Sequence, residues 1–367
     1  MPDMSHVLSV SPALPGPAHT QEQISAAIAP LLLGEDPDLV TASPRRRTLD
    51  KLHAASGVRT RHLALPLDAY ASLTSFGRAN DHFISLGTDL AEEAARSALE
   101  QAGIAPGEVD FLLFTSVTGV SAPSIDTLLV ARLGLRSDVR RLPSFGLGCV
   151  GGAAGIARVH DYLTGHPDDV ALLVSVELCS LTLQRGDDSM ANLVSTGLFG
   201  DGAAAVVMVG DRHPSGAGTP EVTATASRLY PGTQDHLGWQ VTDGGFRIVL
   251  SAGLPDVIAS RLADDVAALL EPYDLKARDV ATWVVHAGGP KILDAVQESL
   301  DLEADALAVS RASLSQVGNL SSASVLHVLA GTFAGAAPPP GSTGVLLAFG
   351  PGISAELVLL TWPGEAP

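Results

Sequence analysis

The sequence predicts an α/β protein made of two related halves, each a sheet covered by helices, with buried helices between the sheets. Three observations carry this. Several strand-length runs are apolar without interruption, as strands covered on both faces are. The order of elements occurs twice along the chain, and in both halves glycine marks the start of a helix at the corresponding place.

The first half shows an amphipathic helix around Asp89–Leu99, then the apolar strand Phe111–Thr115. A glycine-containing turn follows, with Pro123 opening a helix through Leu128, Leu129 and Leu133. The second half repeats this with a helix around Val257–Val266 and the strand Trp283–Val285, after which His286-Ala-Gly-Gly-Pro290 opens a helix through Ile292, Leu293 and Val296. Proline suits the first helical turn, where its missing N–H would have no partner anyway. Gly148-Cys149 and Gly318-Asn319 each then start a further helix. Each half is expected to close with a strand pair turning on glycine, at Asp201-Gly202 in Phe199–Val209 and at Gly350-Pro-Gly352 after Val345. The expected division is a flexible N-terminus over 1–20, a first half over 21–215 and a second half over 216–367.

Composition excludes several classes. With 367 residues, 46% hydrophobic and 17% charged, the chain can bury a large core. A net charge of −18 argues against nucleic acid, which needs a positive surface. The start, Met1–His6, lacks the basic region and apolar core of a secretory signal. Val345–Leu360 is interrupted by Gly350-Pro-Gly352 and Glu356, so it reads as a hairpin and no stable membrane insertion is expected. Two cysteines make neither a disulfide framework nor a zinc site, which suits the cytoplasm. Cys179, in an apolar run, reads as a buried packing residue.

Cys149 lies in Gly146-Leu-Gly-Cys-Val-Gly-Gly-Ala-Ala-Gly155, and this much glycine lets the backbone approach a ligand closely. At a strand-to-helix turn, unpaired N–H groups and the helix dipole favour a thiolate, the nucleophilic form. The same stretch spells Gly-x-Gly-x-x-Gly, but it comes late in the chain and lacks the acidic residue expected at the end of the next strand, so a dinucleotide is disfavoured. If the halves are related by a pseudo-twofold axis, the two glycine-initiated helices aim their N-termini at one centre. Cys149 and Asn319 then meet, and His286, at a strand end, joins them. The imidazole can hold the cysteine as a thiolate–imidazolium pair, and the amide can donate to an oxyanion. Asn319 also has an ordinary reading as a helix N-cap, and His286 as a core histidine. His160, His166, His236 and His327 have no glycine-lined setting and read as structural or exposed.

The motifs Leu147-Gly-Cys149, Leu198-Phe-Gly-Asp-Gly-Ala-Ala-Ala205, His286-Ala-Gly-Gly-Pro-Lys-Ile-Leu-Asp294, Gly318-Asn-Leu-Ser-Ser-Ala323 and Phe349-Gly-Pro-Gly352 resemble, in order, those of the type III polyketide synthases, the chalcone- and stilbene-synthase-like condensing enzymes. The resemblance runs from about residue 20 to near the end. It implies a thiolase-like fold of αβαβα layers, a homodimer, and repeated decarboxylative condensation of malonyl-CoA onto an acyl-CoA starter, with no redox cofactor and no metal. By the same resemblance, Cys149 is the nucleophile, while His286 and Asn319 bind the malonyl thioester and stabilise its enolate. Phe199 and Phe246 resemble gatekeeping aromatics, and Thr182, Gly238, Ser321 and Thr118 fall at or near cavity-shaping positions. Gly238-Trp-Gln and Gly245–Ile258 are similar to bacterial alkylresorcinol and alkylpyrone synthases, which take fatty acyl starters. Ala122 stands where several relatives carry a bulky residue reaching into the partner's site, and a small side chain there leaves room for a longer starter.

Two other readings use the same residues. A papain-like hydrolase also has Cys, His and Asn in that order, but the duplication and the absence of a tryptophan beside the cysteine argue against it. A β-ketoacyl synthase of fatty-acid initiation would stop after one condensation. The intact Cys149, His286 and Asn319 argue against a non-catalytic module of the same fold. Coenzyme binding by so acidic a chain requires a local basic island. The densest is Arg45-Arg46-Arg47 with Lys51, Arg59 and Arg61, of which Lys51, Arg46 and Arg47 are the candidate coenzyme contacts.

Overall fold

The computed structural model describes residues 4–34, 43–335 and 338–364. In chain order the strands are β1 (Ser5–Ala13), β2 (Ala18–Thr20), β3 (Thr60–His62), β4 (Val109–Ser116), β5 (Arg140–Phe145), β6 (Val170–Leu178), β7 (Asp201–Gly210), β8 (Glu221–Leu229), β9 (Leu237–Thr242), β10 (Gly245–Leu250), β11 (Thr282–Val285), β12 (Thr343–Gly350) and β13 (Ser354–Thr361). The helices are α1 (Gln21–Leu33), α2 (Pro44–Ala54), α3 (Phe76–Ala102), α4 (Ile125–Leu133), α5 (Gly151–Gly165), α6 (Met190–Leu198), α7 (Leu254–Leu270), α8 (Pro290–Ser299), α9 (Ala308–Val317) and α10 (Ser324–Ala334).

The duplication is visible in the strand pairing. β4 runs parallel to β6, β6 antiparallel to β7, and β7 antiparallel to β1. β11, β12, β13 and β8 repeat the same series of parallel, antiparallel and antiparallel pairs. The two series meet where β1 joins β8 through the pairs Ser5↔Val222 and His6↔Glu221. β5 adds a parallel edge strand to the first series. The predicted hairpin at Gly350-Pro-Gly352 forms, as β12–β13.

Helices α5 and α10 lie between the two series, since α5 touches β6 and β13 while α10 touches β7 and β11. With α3 outside the first series and α7 outside the second, the layers run αβαβα. Strand alternation sorts the core accordingly. On β6, Ala171 and Leu173 enter the cluster around the central helices, while Leu172, Val174 and Val176 enter the cluster under α3. Both faces of the strand are therefore apolar, and each such leucine contributes about 1.5–3 kcal/mol when buried.

The central helices explain the glycine run. A Cβ on Gly152 would lie 2.3 Å from the Ser322 carbonyl oxygen, and one on Gly155 would lie 2.6 Å from Leu173 Cδ1. Gly152 lets the two halves approach each other and Gly155 lets the helix sit close on its own strand β6, so both serve packing rather than a ligand.

Two further expectations are corrected. The expected flexible lead-in over 1–20 is not seen in its described residues, 4–20, because Ser5–Ala13 is the buried strand β1 at the centre of the sheet. Its apolar alternation lies in a segment too short and polar at its ends to stand out. Asp201-Gly202 is not a hairpin turn either. Both residues are buried within β7, where Asp201 accepts hydrogen bonds from the backbone N–H groups of Ala64 (2.6 Å) and Ser180 (2.8 Å).

Candidate active site

Cys149 sits on the tight turn Gly148–Val150 that leads directly into α5. Its thiol contacts the Ser321 hydroxyl, with Sγ 3.6 Å from Oγ. Ser321 holds a left-handed backbone conformation, φ 49°. His286 follows β11, and its N–H donates to the Leu347 carbonyl at 2.8 Å, which anchors it beside β12. Its ring is buried, and Nδ1 has no hydrogen-bond partner.

Asn319 is held at every polar group. Its N–H donates to the Leu198 carbonyl (2.9 Å) and its carbonyl accepts from the Gly200 N–H (3.0 Å). Its side-chain Nδ2 donates to the Gly288 carbonyl (3.2 Å), and Oδ1 accepts from the Ser321 N–H (2.8 Å) and the Ser324 hydroxyl (3.3 Å). Asn319 is therefore not the N-cap of α10, which begins at Ser324; it pairs with Phe199 in an isolated parallel bridge. Cys149, His286 and Asn319 line one small cavity of about 40 Å³, with Phe199, Leu254 and Phe349 among its other walls.

The ionisation differs from the expected thiolate. Burial pushes the Cys149 thiol up to about 12, and the negative field of Glu177 adds to this; hydrogen bonds from Ser321, the local backbone and Asn319 pull the other way but do not win. Burial pushes His286 down to about 4. Both shifts favour the neutral thiol and the neutral imidazole. The helix-start position alone does not decide the charge, because desolvation outweighs it. A neutral thiol and a neutral imidazole carry the same number of protons as a thiolate–imidazolium pair.

Behind the thiol lies Glu177, which the sequence reading did not single out. One of its oxygens accepts from Ser116 Oγ (3.2 Å), the Val117 N–H (3.1 Å) and Thr118 Oγ1 (2.8 Å), and the other from the hydroxyl and N–H of Ser322. The carboxylate thus ties the end of β4 to the loop that carries Asn319, and burial pushes its pKa up. A glutamate inside an otherwise apolar strand was the available signal.

Phe199 also lines a second, inner cavity of about 50 Å³, together with Arg61, Tyr70, Thr182 and Trp239. A third chamber of about 310 Å³ is lined by Thr118, Thr182, Gln184 and Phe246 among others, and shares Tyr70, Thr182 and Leu183 with the inner cavity. Phe246 is buried in an aromatic cluster, with ring centroids 5.2 Å from Phe76, 5.9 Å from Phe145 and 6.1 Å from Trp239. Thr182 spends its hydroxyl on the Cys179 carbonyl at 2.8 Å.

Several expected residues fall elsewhere. Gly238 lines none of these cavities; a Cβ there would approach only Pro351, at 3.9 Å, while its neighbours Leu237 and Trp239 face the first and second cavities. Ala122 is exposed and lines none of them. Arg61 is buried on β3 and does not belong to a surface island. Arg46 is paired with Asp50 (2.8 Å), Arg45 with Asp188 (3.0 Å), and Arg59 donates to the Ser315 hydroxyl (2.7 Å). Arg47 and Lys51 are exposed on α2, which packs against α6.

Among the described residues no three His, Cys, Asp or Glu side chains are grouped to hold a metal ion, and no helix is long and apolar enough to cross a membrane.

Residues 7–212 match the N-terminal domain of the chalcone and stilbene synthases, and residues 221–362 match the C-terminal domain. The chain is 52% identical over 357 residues to a 1,3,6,8-tetrahydroxynaphthalene synthase of Streptomyces peucetius subsp. caesius, covering 97% of this chain and 93% of that one. It is 33% identical to a phloroglucinol synthase of Pseudomonas fluorescens, over 87% of this chain and 90% of the relative. The crystal structure of 1,3,6,8-tetrahydroxynaphthalene synthase from Streptomyces coelicolor A3(2), described as a bacterial type III polyketide synthase, superposes with a TM-score of 0.90 at 31% identity, covering 98% of this chain and 100% of that one. The layered fold is thus the thiolase-like one, and the chain belongs to the chalcone and stilbene synthases: it is a type III polyketide synthase, a malonyl-CoA-dependent acyltransferase.

Proposed function

We propose that Cys149 carries the growing acyl chain as a thioester, and that His286 and Asn319 bind the malonyl thioester carbonyl. The observation that supports this most is the single cavity on which all three side chains open, with Phe199 closing its inner wall. Loss of carbon dioxide leaves an enolate whose oxygen the Asn319 amide and the His286 ring can stabilise by hydrogen bonding. The enolate carbon attacks the acyl carbonyl on Cys149, the C–S bond breaks, and the released thiolate takes up the next acyl group. Each round forms one C–C bond and expels one carbon dioxide with no net electron transfer, so the reaction requires no redox cofactor.

For the product we propose a poly-β-ketone built from malonyl units and closed to a hydroxylated aromatic ring. Tetrahydroxynaphthalene, the product in the names of two relatives, has ten carbons and no alkyl substituent. Five two-carbon units account for all of it. The 52% identity to one such relative over nearly the whole chain supports this reading. A second reading keeps a fatty acyl starter and an alkylresorcinol or alkylpyrone product, and the chamber of about 310 Å³ supports it as room for a tail. Mass spectrometry of products separates the two. Aromatic product from malonyl-CoA alone supports the first, and product formed only when a fatty acyl-CoA is added supports the second.

We also propose a homodimer, supported by the edge strand β5, where Leu142 and Phe145 are 45% and 53% exposed; light scattering of the purified chain tests it. Coenzyme contact through Arg46, Arg47 and Lys51 is supported by the packing of α2 on the helix that ends at Phe199. A cytoplasmic setting fits the two free cysteines.

A further inference from the structure

Arg61 is 2% exposed, so a guanidinium has been taken out of water. Burying a charge is costly, and an apolar side chain of similar volume would fill the space more cheaply. What the charge does there is visible in its partners. One terminal nitrogen donates to the Phe199 carbonyl at 2.6 Å, the other to Gln21 Oε1 at 2.7 Å, and Nε has no partner. Hydrogen bonds from a cation are about twice as strong as neutral ones.

The Phe199 backbone lies between two restraints. On one side its carbonyl meets Arg61; on the other the flanking Leu198 carbonyl and Gly200 N–H pair with Asn319 at 2.9 and 3.0 Å. The stem of Arg61 passes directly beneath this bridge, where Gly318 has no side chain. A Cβ on Gly318 would lie 3.0 Å from Cγ and Cδ of Arg61, and the residue holds φ +75°. Gln21, at the start of α1, extends the clamp, because its Nε2 also donates to the Gly197 carbonyl at 2.6 Å. The hydrogen bonds of Arg61 reach neither Cys149 nor the turn that carries it.

Building on the functional reading above, we propose that Arg61 is a positioning residue for catalysis, setting the Phe199 gate and the Asn319 amide in register with each other across the catalytic cavity. It acts through the Phe199 carbonyl and the Phe199–Asn319 bridge. Decarboxylation and chain extension, which need Asn319 in place, depend on it. Loading of Cys149 does not.

The test measures the steps separately in wild type, Arg61→Lys and Gln21→Leu: acylation of Cys149 by a starter acyl-CoA, carbon dioxide release from malonyl-CoA, and steady-state condensation. Lysine keeps the charge but cannot reach both partners, and leucine leaves Arg61 with one. The expected result is acylation within two-fold of wild type. Carbon dioxide release and kcat should fall at least ten-fold in Arg61→Lys and about three-fold in Gln21→Leu, with KM changed less than two-fold. A folded variant that decarboxylates at the wild-type rate overturns the proposal, as does a parallel fall in acylation, which would mark general damage to the core. Should Arg61→Lys not fold, Gln21→Leu decides alone. Absence of carbon dioxide release by wild type would instead overturn the functional reading itself, and the positioning role with it.

Discussion

Gly152 on one central helix faces the backbone carbonyl of Ser322 at the start of the other, so closely that a methyl group on Gly152 would come within 2.3 Å of that oxygen. The obstacle is backbone, which cannot swing aside as a side chain end can. Gly152→Ala is therefore expected to cost at least the roughly 1–3 kcal/mol typical of overpacking. It should also lower kcat, because Ser322 adjoins Ser321 beside the thiol. Gly165→Ala, at the open end of the same helix, is the control. Urea unfolding should show a large loss in the first variant and a change within about 0.5 kcal/mol in the second.

Cys149→Ala should stop condensation while leaving measurable release of carbon dioxide from malonyl-CoA, since the enolate is held by His286 and Asn319. Asn319→Ala should show the reverse, with acylation retained and decarboxylation reduced about 100-fold or more, the scale seen for loss of one oxyanion donor. Labelled malonyl-CoA distinguishes them: near-wild-type product from the alanine variant of Cys149 would remove it as the nucleophile.

Chain acceptance should respond to Trp239 rather than Gly238. The indole lines the inner cavity, whereas a side chain on Gly238 would grow toward Pro351. Trp239→Ala is expected to broaden the starters accepted, toward bulkier acyl groups, and to change product length in competition assays with mixed acyl-CoAs. Gly238→Leu should leave starter preference unchanged.

The buried His53 makes one pH prediction with a definite sign. Burial, with the Arg61 charge adding, pushes it from 6.5 down to about 4. The unfolded chain therefore takes up this proton before the folded one, so its contribution to stability is intact above about pH 6.5 and is lost as pH falls toward 4. Replacing it by asparagine removes that slope. Between pH 6.5 and 4 the stability of His53→Asn should fall less than wild type by about 3 kcal/mol. Asp201, pushed up to about 6 by burial, works in the opposite direction but is common to both proteins and cancels. Equal slopes in denaturant titrations would show that His53 takes up its proton over the same pH range in the folded and unfolded chain.

Lys51→Ala should raise KM for malonyl-CoA two- to three-fold with kcat unchanged, and the wild-type KM should rise with salt as exposed charges are screened. Arg46→Ala should matter less, since its guanidinium is already engaged by Asp50 at 2.8 Å. A salt-independent KM would place the coenzyme entrance away from α2.

Periodicity and motif order made much of this protein legible in the sequence. The doubled βαβ pattern, the hairpin at Gly350-Pro-Gly352, His286 at a strand end and the meeting of Cys149, His286 and Asn319 on one cavity follow from local signals and from their order along the chain. Other features are properties of contact between segments far apart in the chain, which no local pattern records. The glycines around Gly152 look like a ligand loop until Ser322 is seen against them. Arg61 looks like part of a surface island until β3 carries it beneath Phe199, and Asn319 looks like an N-cap until it pairs with that residue. The charge of Cys149 was likewise decided by the fold, because its helix-start position favours a thiolate while desolvation by the assembled core opposes it more strongly.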